Sequence, residues 1–223
     1  MKERPILFSA PMVRAILAGR KTQTRRAVKP RKDVAFGCLM QPHELAGEVN
    51  SGIFENCPYG QPGDRLWVRE NFQPLFADGI ENHWETDWKT GKGYSVSYPA
   101  TDGVQEFFNL DDELSSSCKP SIHMPRWASR ILLEIRGIRI ELLNDISKAD
   151  ATAEGIESVR VSEKCFRCVD YLRVGKTDQK EATVGNEVKS YATLWESING
   201  PGSWDANPWV WVVEFKKLEG GAA

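Results

Sequence analysis

Apolar and polar positions change period several times along the 223-residue chain, and each change marks an element. Pro5 to Ser9 is a short apolar run that predicts a first strand. Ala10-Pro11 opens a helix: proline suits a first helical position, and Met12, Ile16 and Leu17 share one face. Gly19 ends that helix, with Arg20 and Lys21 beside its negative C-terminal dipole. Thr22 to Arg26 is β-prone and starts the next strand, and Lys29-Pro30-Arg31-Lys32 is a basic loop. Residues 33–56 carry no firm periodicity and read as irregular. Turn formers crowd Cys57 to Asp64 and lead into Arg65–Phe72, where Leu66, Val68 and Glu70 alternate with Trp67, Arg69 and Asn71 as in a strand. A polar, loop-like stretch over 78–92 precedes a strand from Tyr94 to Tyr98, and 111–119 reads as a polar linker.

The longest strand pattern runs from Arg130 to Leu143, and its Gly137 predicts a bend or bulge dividing two segments. Asp145-Ile146-Ser147 starts a helix in which Ser147 and Asp150 stand at capping-box spacing, aspartate replacing the usual glutamate. It runs to Glu154 and stops at Gly155. Residues 158–188 are polar and weakly patterned, like an insertion, and Glu187 to Ile198 is helical, with Tyr191, Leu194, Trp195 and Ile198 at apolar spacing. Trp209 to Phe215 is almost continuously apolar, the pattern of a central strand buried on both faces. Several short strands, few helices and no regular βαβ alternation predict an α+β fold or a small barrel.

Composition narrows the class. Apolar residues make up 41% and charged residues 27%, with a mean hydropathy of −0.43, as in an ordinary soluble globular protein. No apolar run reaches the roughly 18–20 residues that span a bilayer, and the charged start lacks a signal-peptide core, so a cytoplasmic protein with no membrane partner is expected. The length sits near the upper edge of one domain. Five cysteines favour reduced thiols. Cys165 and Cys168 form a CxxC, half of a zinc site; Cys118 and His123 stand within recruiting distance in sequence, but no spacing requires them, and no metal or cofactor is expected. The net charge of −2 conceals eight basic residues and no acid between Arg14 and Lys32, interleaved with Thr22, Gln23 and Thr24. That segment is either a surface for phosphate or another anionic ligand, or a solvated basic face.

Three stretches together resemble the ASCH family, a branch of the PUA-like superfamily. Ile16-Leu17-Ala18-Gly19-Arg20-Lys21-Thr22-Gln23-Thr24-Arg25-Arg26 is similar to the family signature ILAGRKTxTxR. Gly63 to Glu70 is similar to its GD-x-L-x-V strand, and Leu143 to Ile156 to the family helix ending in an acidic residue. Segments 73–120 and 157–187 look like insertions into a single domain spanning 1–223, an arrangement closest to long bacteriophage and prophage members. The resemblance implies an α+β fold built on a PUA-like mixed β-barrel with flanking helices, and a cleft lined by the basic signature. It also implies ligands among RNA and modified bases. One type of small bacterial member of the family is an amidohydrolase that removes the acyl group from N(4)-acetylcytidine with a lysine, a threonine and a glutamate. Those residues match Lys21, Thr24 and Glu154 here, and the arginine that follows matches Arg26.

The chemistry can be weighed without the family. Amide hydrolysis needs a nucleophile, a base and a donor for the tetrahedral oxyanion. The chain holds no GxSxG elbow and no HExxH, and its histidines, His43, His83 and His123, lie in irregular segments or before a strand. A lysine of ordinary pKa, about 10.4, is a poor base at neutral pH; crowding by Arg20, Arg25 and Arg26 together with burial lowers it. On a regular strand Thr22, Thr24 and Arg26 share one face and Lys21 points the other way, so Lys21 and Thr24 meet only if Lys21 sits in a break before the strand. Trp67, Trp127 and Trp204 are expected to line a site, and Arg69 with Glu70 forms either a pair near it or a plain strand salt bridge. The expected partner is a nucleoside, with RNA a further candidate, and oligomeric state is not legible. The competing classes are a non-catalytic RNA-binding module, a ribonuclease and a phage assembly protein.

Overall fold

The computed structural model describes residues 1–76, 87–108, 113–162, 165–175 and 182–219. The loop expected over 78–92, the linker over 111–119 and the insertions over 73–120 and 157–187 lie partly outside these residues, as does His83. In chain order the elements begin with β1 (Glu3–Leu7), α1 (Ala10–Leu17), β2 (Gln23–Ala27), β3 (Arg31–Lys32), β4 (Leu39–Met40) and α2 (Pro42–Asn50). They continue with β5 (Arg65–Arg69), β6 (Gln73–Phe76), β7 (Tyr94–Ser97), α3 (Pro99–Asp102), β8 (Phe107–Phe108) and β9 (Leu114–Ser115). Then follow β10 (Leu132–Leu142), α4 (Lys148–Ala153), β11 (Ser158–Ser162), β12 (Cys165–Val169), β13 (Thr183–Val184), α5 (Glu187–Asn199) and β14 (Trp209–Lys217).

The fold is mixed α+β, with a five-stranded mixed sheet in the order β1-β5-β10-β14-β2. The chain forms two compact units, one from Met1–Leu17, Asp64–Glu134 and Lys217–Ala223, the other from Ala18–Gly63 and Ile135–Lys216. No helix among the described residues is long and apolar enough to cross a membrane.

In the first unit β1 runs parallel to β5, with Ile6 opposite Val68, and the start of β10 pairs antiparallel to β5, with Leu133 opposite Leu66. Leu66 and Val68 are buried while Trp67 and Arg69 are half-buried, the alternation of a strand with one covered face. Asp64 anchors the start of β1 by accepting from the Lys2 backbone N–H at 2.7 Å and pairing with Arg4 at 3.2 Å. A second cluster packs Phe72, Met124 and Ala128 against Trp88, Val96, Tyr98 and Trp127.

The second unit is organised around β14, which pairs antiparallel with β2. Val210 and Val212 join Leu143, Ile146, Ala151, Tyr191 and Trp195 in one core, whereas Trp211 joins Met40, Leu45, Val49 and Ile140 in another. Both faces of the strand are covered, which is why its sequence shows no alternation. Helix α2 lies where the sequence reads as irregular. Pro42 occupies its first turn, the Gln41 backbone N–H donates to Glu44 Oε2 at 2.7 Å, and Leu45, Ala46 and Val49 supply its buried stripe. The apolar face is only three residues wide and Gly47 interrupts the helix-forming sequence, so the period is too faint to read. The stretch read as an unpatterned insertion holds β11, β12 and β13 in an antiparallel sheet.

Strand β10 also differs from expectation, for it passes through Gly137 without a break. A Cβ on Gly137 would stand 3.2 Å from Glu214 Oε2, so the glycine makes room for a neighbouring carboxylate. Helix α4 starts and stops as its sequence predicts. Ser147 Oγ accepts from the Asp150 backbone N–H at 3.1 Å and Asp150 Oδ2 accepts from the Ser147 backbone N–H at 3.4 Å, closing the box. Gly155, at φ 89°, takes the left-handed conformation just beyond Glu154.

Candidate functional site

Two short backbone contacts bring the basic signature to the end of α4. Lys21 forms an isolated antiparallel bridge with Glu154, and the Thr22 N–H donates to the Ala153 carbonyl at 2.9 Å. The Lys21 Nζ then donates to Glu154 Oε2 at 2.7 Å and to the Glu154 backbone carbonyl at 3.0 Å. The lysine side chain is 0% exposed and the glutamate side chain 3%. Residues 133 positions apart thus form a buried ion pair.

A second cation shares that carboxylate. Arg25 Nη1 lies 3.4 Å from Glu154 Oε1, while its Nη2 lies 2.6 Å from Glu141 Oε1 and 3.5 Å from Asp150 Oδ2. Gln23, with its amide turned to satisfy both neighbours, donates to Asp150 Oδ1 at 3.0 Å and accepts from Arg25 Nη1. The Arg25 Nε has no acceptor among the described residues. Arg139 extends the network through Glu141 Oε2 and Asp150 Oδ1, both at 2.9 Å, and through Glu214. Beneath Arg25 lies the Tyr191 ring, 5.9 Å from Cζ to centroid, and Trp204 meets Tyr191 edge-on at 6.3 Å.

Burial sets the electrostatics of the group. It pushes the Lys21 amine down from the usual lysine range; Glu154 opposes this, and the charges of Arg26 and Arg25 add to the lowering. The Tyr191 hydroxyl is pushed well up, by burial first and then by the charge of Glu154, against the pull of Arg25 and Arg26. Burial raises the Asp150 carboxyl too, but hydrogen bonds from Ser147 and the charges of Arg139 and Arg25 outweigh it and hold that group below the ordinary aspartate range. A lysine of lowered pKa touching a carboxylate is an arrangement able to take up and pass on a proton.

Pairing register fixes the faces of β2. Gln23 stands opposite Glu214 and Arg25 opposite Val212, whereas Thr24 stands opposite Val213 and Arg26 opposite Trp211. Side chains of paired residues share a face and successive ones alternate. Gln23 and Arg25 therefore project to the side of Glu154, and Thr24 and Arg26 project to the other. Lys21 precedes the regular strand but keeps the side of Gln23 and Arg25 that strict alternation gives it, so its amine reaches the carboxylate that Arg25 also holds and does not turn to Thr24. Of the residues matched to the signature and the family helix, Lys21 and Glu154 come together, while Thr24, 2% exposed, extends from the opposite face.

The other predicted residues belong to the first unit, apart from Trp204. Arg69 lies over the Trp67 ring at 5.0 Å and its Nε donates to the Met124 carbonyl at 3.0 Å. Glu70 is buried, with Arg130 as its partner at 3.0 Å through both Nε and Nη2, so the neighbouring Arg69 is not its counter-ion. Trp127 donates from Nε1 to the Trp88 carbonyl at 2.8 Å and packs edge-on against the Trp88 ring. Among the described residues no group of three or more His, Cys, Asp and Glu side chains is placed to hold a metal; Cys168 is a buried free thiol, and the side chain of Cys165 lies outside them.

Sequence reasoning passed over Arg25 as a site residue, and with it Gln23, Arg139, Glu141, Asp150 and Tyr191. The sequence shows a period-two row of polar residues at 21, 23 and 25 and another of charge at 139 and 141, but only strand pairing brings the two rows together. No family model, no curated protein and no solved structure matches the chain.

Proposed function

We propose that the protein is an amidohydrolase that removes the acyl group from N(4)-acylated cytidine or a related nucleoside, with the PUA-like barrel and ASCH membership that its signature resembles. The observation that carries this reading is the buried contact of 2.7 Å between Lys21 Nζ and Glu154 Oε2. Burial favours the neutral amine, which takes a proton from water as its oxygen attacks the acyl carbon. Glu154, already touching the amine, relays that proton to the cytidine N4 as the carbon–nitrogen bond breaks. One water is consumed, and a carboxylic acid and a free amine are released. Water is assigned as the nucleophile because Thr24 projects from the other face of β2. Trp204, edge-on to the Tyr191 ring that lies beneath Arg25, is the proposed substrate-binding residue on this side of the sheet, and the nucleoside itself rests on the resemblance of the signature.

Incubation with N(4)-acetylcytidine, followed by the ultraviolet shift to cytidine, tests the reading. Wild type is expected to turn over, Lys21→Met to lose about 10²-fold to 10⁴-fold in kcat, and Thr24→Val to retain most of its rate. No turnover by the wild type, or full turnover by a folded Lys21→Met variant, would sink it.

A further inference from the structure

We propose that Arg25 is a positioning residue for the Lys21–Glu154 pair: it takes one oxygen of the Glu154 carboxylate so that Lys21 meets only the other. This rests on the hydrolytic reading of the pair and adds a residue that the signature's resemblance leaves without a role. The two oxygens are divided between two cations, Oε2 with Lys21 at 2.7 Å and Oε1 with Arg25 at 3.4 Å. Arg25 is itself held in place by Glu141 at 2.6 Å and Asp150 at 3.5 Å, and its side chain is 0% exposed. Arg139 fixes those two acids in turn, each at 2.9 Å. The chain of contacts therefore runs from β10 through Arg25 to the carboxylate, and leaves Glu154 little freedom to rotate away from the amine.

A guanidinium suits this position better than an ammonium would. Its planar fork engages several carboxylates at once and it stays charged at every working pH, whereas a lysine is a point charge that titrates. Arg25 thus sets its guanidinium beside Lys21 and holds part of the negative charge that would otherwise favour the ammonium. Among the described residues, the charged and titratable groups gathered around the pair include Asp150 from α4 and Glu154 just beyond it, Glu141 and Arg139 from β10, Glu214 from β14, Tyr191 from α5, and Arg25 and Arg26 from β2. Removing the Arg25 charge takes away repulsion and frees Glu154 to serve Lys21 alone, so both effects push the lysine toward its protonated form.

The test is the pH–rate profile of wild type, Arg25→Gln and Arg25→Lys on N(4)-acetylcytidine, beside the pH titration of Lys21 followed by NMR in ¹⁵N-lysine-labelled protein. For Arg25→Gln the rising limb of kcat moves to higher pH and the neutral-pH rate falls by about tenfold, while KM changes little. Arg25→Lys keeps a charge without the fork, so its limb moves less and its alkaline plateau drops. A limb and a Lys21 titration that both stay in place in folded Arg25→Gln overturn the proposal, even if the rate falls uniformly. If the wild type lacks turnover, the hydrolytic reading fails, and the titration alone then decides whether Arg25 tunes Lys21.

Discussion

Gly137 lies in a strand, where glycine forgoes about 0.5–1 kcal/mol relative to alanine. What it provides is space for Glu214, whose Oε2 would lie 3.2 Å from an added Cβ and which pairs with Arg139. Gly137→Ala is expected to destabilise the protein by about 1 kcal/mol, because overpacking outweighs the gain in strand propensity. In a Glu214→Ala background the same change should stabilise by about 0.5 kcal/mol, since only the propensity remains. Urea unfolding of the four proteins in the cycle measures both values; equal effects in the two backgrounds would contradict the account. At this scale the sequence revealed Lys21 and Glu154 as partners through a motif, but could not reveal Arg25. Alternation tells which residues of a strand share a face, and only the register of β2 against β14 tells which face meets the acids.

Helix α4 is six residues long, so most of its stability comes from its ends and its packing rather than from propensity. Ser147→Ala removes the N-cap and is expected to cost about 1 kcal/mol in urea unfolding. The loss should also loosen Asp150, which bonds both Ser147 and Arg139. A variant as stable as wild type would show that packing alone fixes the helix. Elements with strong local chemistry were legible: α1, with proline in its first turn, α4 with its box and α5 all stand where their patterns place them. Those held by partners distant in sequence were not. The two-residue strands β3 and β4 are too short for any period, and in the β11–β13 sheet, whose strands have at most five residues, the alternation of Val159 and Val161 with Ser158, Arg160 and Ser162 is too brief to stand out.

For the molecule as a whole, the basic run of the sequence is less of a surface than its tally promises. Lys21 and Arg25 are buried among acids and Arg20 pairs with Glu157 at 3.1 Å, which removes three of the eight charges from the pool open to an extended polyanion. The buried lysine also couples folding to pH. Its amine is lowered on folding, so between the folded value and the ordinary 10.5 the unfolded chain carries a proton that the folded chain lacks. Stability contributed by Lys21 therefore rises as pH climbs through that window. The unfolding free energy of wild type relative to Lys21→Met should rise from neutral toward alkaline pH, read from urea midpoints across a pH series. A difference independent of pH would mean that burial leaves the amine unperturbed.

The two units are interleaved along the chain, and this governs the order in which the protein can be made. The first draws on Leu218, whose N–H bonds the Leu132 carbonyl at 2.9 Å, and the second draws on residues 209–216 of β14 to cover both of its cores. The cores of the second unit therefore close only once β14 is in place. The nascent polypeptide must wait, with Val28, Leu45 and Ile140 still uncovered, until its last strand has been synthesised.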